Sequence, residues 1–160
     1  MAELIKTDRL TKQFGEIRAV DGISLSVMKG EVLGFLGPNG AGKSTTMKMI
    51  TGFLEPDQGV VRICGIGMAD SPLEAKRRIG YLPEGAPAYA DMTARSFLHF
   101  IAEVRGFDGG VQAERVAAAA SRTGLAGVMD QRIETLSKGY KRRVGLAQAI
   151  LHDPEVLILD

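Results

Sequence analysis

The chain has 160 residues, enough for one domain with a hydrophobic core, and its 45% apolar and 24% charged residues are ordinary for a globular protein. Twenty basic against nineteen acidic side chains leave no net field that would argue for nucleic acid or an anionic membrane surface. No apolar run approaches the roughly 20 residues that span a bilayer, and the start lacks the basic-then-apolar layout of a signal peptide.

In chain order, Ile23, Leu25 and Val27 alternate with Ser24 and Ser26, the period of a half-buried strand. Val32 to Leu36 reads as a buried strand entering Gly37. Met47, Ile50 and Leu54 recur at helical spacing, which predicts a helix starting in the glycine loop and ending near Gly52 to Pro56. Val60 to Ile63 and Ile79 to Leu82 read as strands. The single cysteine, Cys64, excludes an intramolecular disulfide, suits a reducing compartment and reads as a buried residue at a strand end. Beyond Pro87 the period becomes helical. Phe97, Phe100, Ile101 and Val104 form one face, with Thr93 as N-cap and Gly106 as stop. A second helix is expected over Val111 to Thr123. A third begins near Ser137, carries Tyr140, Val144, Ala147 and Leu151 on one stripe, and ends at Asp153-Pro154. Val156 to Leu159 is a buried strand ending at Asp160. This order is an α/β layout with a contiguous helical block inserted between strands.

The stretch Gly37-Pro38-Asn39-Gly40-Ala41-Gly42-Lys43-Ser44 matches the phosphate-loop pattern G-x-x-x-x-G-K-[ST]. Glycines let the backbone wrap close around phosphate oxygens, and successive amides form an anion nest at a helix N-terminus. In such a loop Lys43 would reach the β- and γ-phosphates, the Ser44 hydroxyl would ligate Mg²⁺, and Thr45 would add a hydroxyl near the α-phosphate. The strand before the loop and the helix after it are the context the motif requires. A carboxylate at the end of an apolar strand, Asp160, suits a magnesium site beside such a loop.

Taken with Leu136-Ser137-Lys138-Gly139-Tyr140, Lys141 to Arg143 and the strand ending at Asp160, the whole chain resembles the ATP-binding subunits of ABC transporters. The runs Gly80 to Pro87 and Leu136 to Asp160 are most similar to subunits of bacterial ABC-2-type exporters, including those linked to gliding motility. The resemblance implies a phosphate-loop, RecA-like core with an antiparallel β subdomain and an inserted helical subdomain. Residues 1–86 would hold the β subdomain and core, 87–152 the mostly helical part, and 153–160 the strand carrying Asp160. It implies that Phe14 stacks on adenine, where the family commonly has tyrosine; a core phenylalanine is the competing reading. Val20 would line the same base. Leu136 to Tyr140 would match the signature motif, with Ser137 and Gly139 contacting the γ-phosphate of ATP held by a second protomer. ATP and Mg²⁺ are the implied cofactors, with Lys43, Glu84 and Asp160 as catalytic residues and Ser44, Glu84 and Asp160 at the metal.

Departures from the family pattern leave alternatives open. The common signature is Leu-Ser-Gly-Gly-Gln, so Lys138 faces either the partner's ATP or solvent, and Tyr140 either packs or touches ligand. Glu84 stands where a glutamine is usual; it approaches the Mg²⁺ site or faces water. No glutamate follows Asp160, and His99 and His152 are not placed to replace a catalytic histidine. The resemblance therefore implies a C-terminally shortened ATPase: the parent would hydrolyse ATP and drive export, and these residues alone would bind it without efficient turnover. Expected partners are a second protomer, giving a homodimer, and a membrane permease reached through Glu84 to Thr93. The place would be cytoplasmic, on the inner face of the membrane. A non-transport ATPase, such as a ribosome-associated translation factor, is the alternative. A kinase or GTPase fits less well, since no Asn-Lys-x-Asp motif is present.

Overall fold

Alternating apolar and polar residues at the start of the chain build a long antiparallel hairpin. In the computed structural model, which describes residues 2–85 and 89–160, β1 (Glu3–Phe14) pairs with β2 (Ile17–Met28). Gly15 opens the turn between them at φ 57°, the position where a type II′ turn requires glycine. β1 breaks its own alternation at Arg9, whose φ is 48°. Ile5 and Thr7 are buried before this point and Leu10 after it, and the register with β2 shifts in between. This is a β-bulge, and the Arg9 amide donates to Ser24 Oγ at 2.8 Å.

β3 (Gln58–Ile63) pairs with the other edge of β1, and β4 (Ile66–Gly67) closes a sheet of order β2-β1-β3-β4. The β3–β4 turn is Cys64-Gly65, with φ 50° and 80°, the two left-handed residues of a type I′ turn. Cys64 is thus only half-buried, in a hairpin turn, where a buried strand end was expected. After the glycine loop comes α1 (Lys43–Ile50), and α2 (Pro72–Arg77) follows β4. Val32 to Leu36 does not form the expected buried strand: it has no strand assignment, and Val32 and Leu36 are each 96% exposed. An apolar run becomes a strand only where another strand offers a hydrogen-bonding edge. None of the described strands pairs with it.

The chain divides into two compact units, one running up to Ile79 and including Asp160, the other Gly80–Leu159. The second unit carries the rest of the strand β5 (Ile79–Leu82), its sheet partner β6 (Val156–Leu159), and the helices α3 (Ala94–Val104), α4 (Gly109–Arg122) and α5 (Lys138–Ile150). The helices share a core that includes Phe97, Leu98, Val116, Leu125 and Val144. On α3 the buried positions are Ala94, Phe97, Leu98 and Ala102, whereas Phe100 is 40% and Val104 68% exposed. The expected face is therefore rotated, because small alanines at both ends admit close helix packing. Phe100 instead meets the edge of Tyr89, ring centroids 5.8 Å apart.

Thr93 caps α3 as expected, its hydroxyl accepting from the Ser96 amide at 3.0 Å. Gly106 ends it in the left-handed region, with Phe107 N donating to Ala102 O at 2.9 Å, a Schellman cap. Gly80 lets β5 approach the end of α5: a Cβ there would run into the Ala149 carbonyl oxygen and lie 2.8 Å from Pro154 Cγ. Gln148 Nε2 donates to Tyr81 O at 3.0 Å across the same contact. Pro87, where helical periodicity was expected to begin, lies outside the described residues.

Candidate nucleotide-binding site

In the first unit the glycine loop leads from extended chain into α1. Gly40 and Gly42 hold φ of 84° and 85°, and Gly42 is the N-cap of α1. A Cβ on Gly42 would run into the Ala19 carbonyl oxygen and stand 3.2 Å from Val20 Cγ2. The loop therefore rests directly on the backbone of β2, and glycine is needed for both space and conformation. Val20 is 3% exposed beneath that contact. Thr46, which the motif did not single out, is fully buried and donates through Oγ1 to Gly42 O at 2.9 Å. Its signal was present: a hydroxyl one turn into the helix can bond back to the cap carbonyl.

Lys43 Nζ donates to Gly37 O at 2.6 Å and Pro38 O at 2.8 Å. An ammonium has three donors, so the cation is anchored inside the loop with one donor still available to an anion. Asn39 and Ala41 lie at the exposed crest of the loop. Ser44 Oγ donates to Asp160 Oδ1 at 3.3 Å across 116 residues of sequence. That contact unites Ser44 and Asp160, two of the three residues expected at the metal; the third, Glu84, belongs to the second unit. Two neighbouring ligands of octahedral Mg²⁺ stand about 3 Å apart at metal–oxygen distances of about 2.1 Å. The pair therefore fits one edge of such a site. Thr45 is half-buried on the next position of α1.

Phe14 ends β1, half exposed, next to the hairpin turn and opposite Ile17. Lys12 lies beneath it, the ammonium 5.7 Å from the ring centroid.

The second unit holds the remaining candidates. Glu84 is exposed in the turn after β5. Leu136 is buried, and Ser137 is the N-cap of α5, its Oγ accepting from the Tyr140 amide at 3.3 Å. A serine hydroxyl that accepts within its cap still has a proton to donate outward. Residues 137–143 are all exposed. They include Lys138, Lys141, Arg142 and Arg143, and the first turn holds no acid. Tyr140 does not join the buried stripe, which begins at Val144; its ring lies 5.1 Å from the Arg143 guanidinium carbon. His99 is half-buried on α3, its carbonyl accepting from Gln112 Nε2.

A family model described as ABC transporter matches residues 20–160. The chain belongs to the ABC transporter family. The linearmycin resistance ATP-binding protein LnrL of Bacillus subtilis is 38% identical over 157 residues, 98% of this chain and 50% of that protein. The bacitracin transport ATP-binding protein BcrA of Bacillus licheniformis is 38% identical over 160 residues, 100% of this chain and 51% of its own. A solved structure of the ATP-binding subunit of an ABC transporter superposes with a TM-score of 0.87 at 29% identity, covering 98% of this chain and 65% of that one. The α/β fold class read from the sequence, a phosphate-loop ATPase domain with an antiparallel sheet, is that of these neighbours. The chain spans about half the length of the two curated relatives.

Proposed function

We propose that this chain is the nucleotide-binding part of an exporter ATPase, holding ATP with Mg²⁺ on the loop from Gly37 to Ser44. The observation that carries the reading is the 3.3 Å contact of Ser44 with Asp160 beside the Lys43-anchored loop. Loop amides and the N-terminus of α1 would take the phosphate oxygens. Lys43 would turn one donor to the β- and γ-phosphates, and Thr45 would reach the α-phosphate. Ser44 and Asp160 would hold Mg²⁺, which when bound would supply positive charge against the phosphates. Phe14 would stack on adenine, with Val20 lining the same base, and Glu84 would lie near the metal when the site closes.

For the whole protein we propose ATP hydrolysis coupled to export through a membrane permease, at the inner face of the membrane, with a second copy completing the site. Support for the second copy is the exposed N-terminus of α5, where Ser137 and Gly139 meet a cationic surface. No described helix is long and apolar enough to cross a membrane, so the permease would be a separate segment or chain. The names of LnrL and BcrA support resistance or transport as the setting. The test is calorimetric binding of MgATP, with Lys43→Met and Asp160→Asn each expected to weaken it at least about tenfold. Unchanged affinity in both variants would overturn the reading. Co-purification of the whole protein with a permease tests the export assignment, and recovery on ribosomes instead would favour the translation-factor alternative.

A further inference from the structure

Lysines on strands usually extend their ammonium into water; Lys12 does not. Its side chain is only 15% exposed. The ammonium donates to Asp57 Oδ1 at 2.8 Å and to Glu55 O at 2.9 Å. The other carboxylate oxygen of Asp57 accepts from the Gln13 amide at 2.8 Å. One carboxylate thus grips two consecutive residues of β1, at a place where the register with β2 is irregular on both sides of Lys12. The outcome is a fixed cation on one face of Phe14, 5.7 Å from the centroid, within cation–π range. Phe14 is 50% exposed, so the ring keeps a second face for a ligand. On β2 the residue opposite Lys12 is Val20, which abuts Gly42 of the phosphate loop.

We infer that Lys12, clamped by Asp57, is a positioning residue that fixes the Phe14 ring and presents its free face to a nucleobase in register with the phosphate loop. The inference rests on the proposed stacking of adenine on Phe14. A cation behind the ring draws its π-density away from the stacking face, which favours an electron-rich purine there. Holding the ring still before binding removes part of the ordering cost.

The experiment compares MgATP with magnesium tripolyphosphate, which has the phosphates but no base, by calorimetry on the full chain. Lys12→Met keeps the aliphatic stem and removes the charge; Asp57→Asn keeps the charge and loosens the grip. Lys12→Met is expected to weaken ATP about two- to fivefold and to leave tripolyphosphate within about twofold. Asp57→Asn should act in the same direction and more weakly, and Lys12→Arg should restore ATP affinity. Phe14→Ala should weaken ATP at least about fivefold without affecting tripolyphosphate. If Phe14→Ala discriminates between the ligands and Lys12→Met weakens both equally or neither, the role of Lys12 is wrong while base stacking stands. If Phe14→Ala itself fails to discriminate, the stacking reading falls and the inference with it.

Discussion

Two loop glycines that look alike in sequence should respond very differently to a single methyl group. Gly40 and Gly42 both have φ near 85° (84° and 85°), but a Cβ on Gly40 would meet nothing within 4 Å. On Gly42 it would run into the Ala19 carbonyl oxygen, with the Ala19 carbonyl carbon at 3.4 Å and Val20 Cγ2 at 3.2 Å. For Gly40→Ala the left-handed backbone costs about 1–2 kcal/mol, offset by about 0.4–1 kcal/mol from the stiffer unfolded chain. The net loss is about 1 kcal/mol. Gly42→Ala carries the same balance plus the cost of pushing a methyl into strand backbone, about 1–3 kcal/mol. A total near 2–4 kcal/mol follows. Urea unfolding followed by far-UV circular dichroism reads this directly. With a slope of about 2 kcal/mol per molar urea, Gly42→Ala should lower the midpoint by roughly 1–2 M and Gly40→Ala by about 0.5 M. Equal midpoint shifts in the two variants would refute the claim that the loop is seated on β2.

Three further outcomes are expected. Gly80→Ala, whose Cβ would run into the Ala149 carbonyl oxygen, should cost about 2–3 kcal/mol in the same unfolding assay. Glu84→Gln in the whole protein should shift the Mg²⁺ concentration that half-saturates ATP hydrolysis by severalfold upward, since a carboxylate binds the metal more strongly than an amide; an unchanged curve would remove Glu84 from the site. Arg95 hydrogen-bonds Asp130 through both oxygens, at 2.7 and 3.2 Å, and this holds the Asp130 carboxyl below its ordinary value. A depressed carboxyl stabilises the fold above its unfolded value near 3.9 and loses that contribution as pH falls through the folded value. The melting temperature of Asp130→Asn should therefore lie below that of the parent at pH 7 and converge with it below about pH 4; a gap that stays constant down to pH 3 would contradict the assignment.

Which features were legible in the sequence follows from the range of the interaction that sets each one. The glycine loop, its helix, the Thr93 cap and the Gly106 stop are local, and the chain encodes them within a few residues. The strand Ile79–Leu82 was legible for the same reason. β1 escaped notice because its alternation inverts at Arg9: Ile5 and Thr7 keep one parity, Leu10 the other, and the bulge depends on Ser24 and Gly59 from neighbouring strands. α2 had a readable start, Ser71-Pro72 with Glu74 two positions on, but six residues give too short a period to register. Val32 to Leu36 misled in the other direction, since apolar density records a tendency to be covered without naming the partner. Lys43, Ser44 and Asp160 were singled out from residue type and position, and the structure brings Ser44 and Asp160 into contact; Lys12 was not singled out. The role proposed for it depends on Asp57, 45 residues away, and no motif encodes that contact.

Of the five α-helices among the described residues, α1, α3, α4 and α5 have no acid in their first turn, and α1 and α5 handle the resulting positive end differently. At α1 the positive end is balanced within the loop: Lys43 is bonded to the Gly37 and Pro38 carbonyls, and the Ser44 hydroxyl is turned to the Asp160 carboxylate. At α5 Lys138, Lys141, Arg142 and Arg143 add to the helix dipole, and none of these four is ion-paired among the described residues. Like charge at a helix N-terminus costs a few tenths of a kcal/mol or more per group, so the arrangement is unfavourable in an isolated domain. It becomes favourable once an anion faces it, and Ser137, whose Oγ accepts within the cap and so keeps its proton to donate, adds a directional donor. That contrast between a self-balanced loop and an uncompensated helix end is the physical support for the proposed second copy, whose bound phosphates would supply the missing anion.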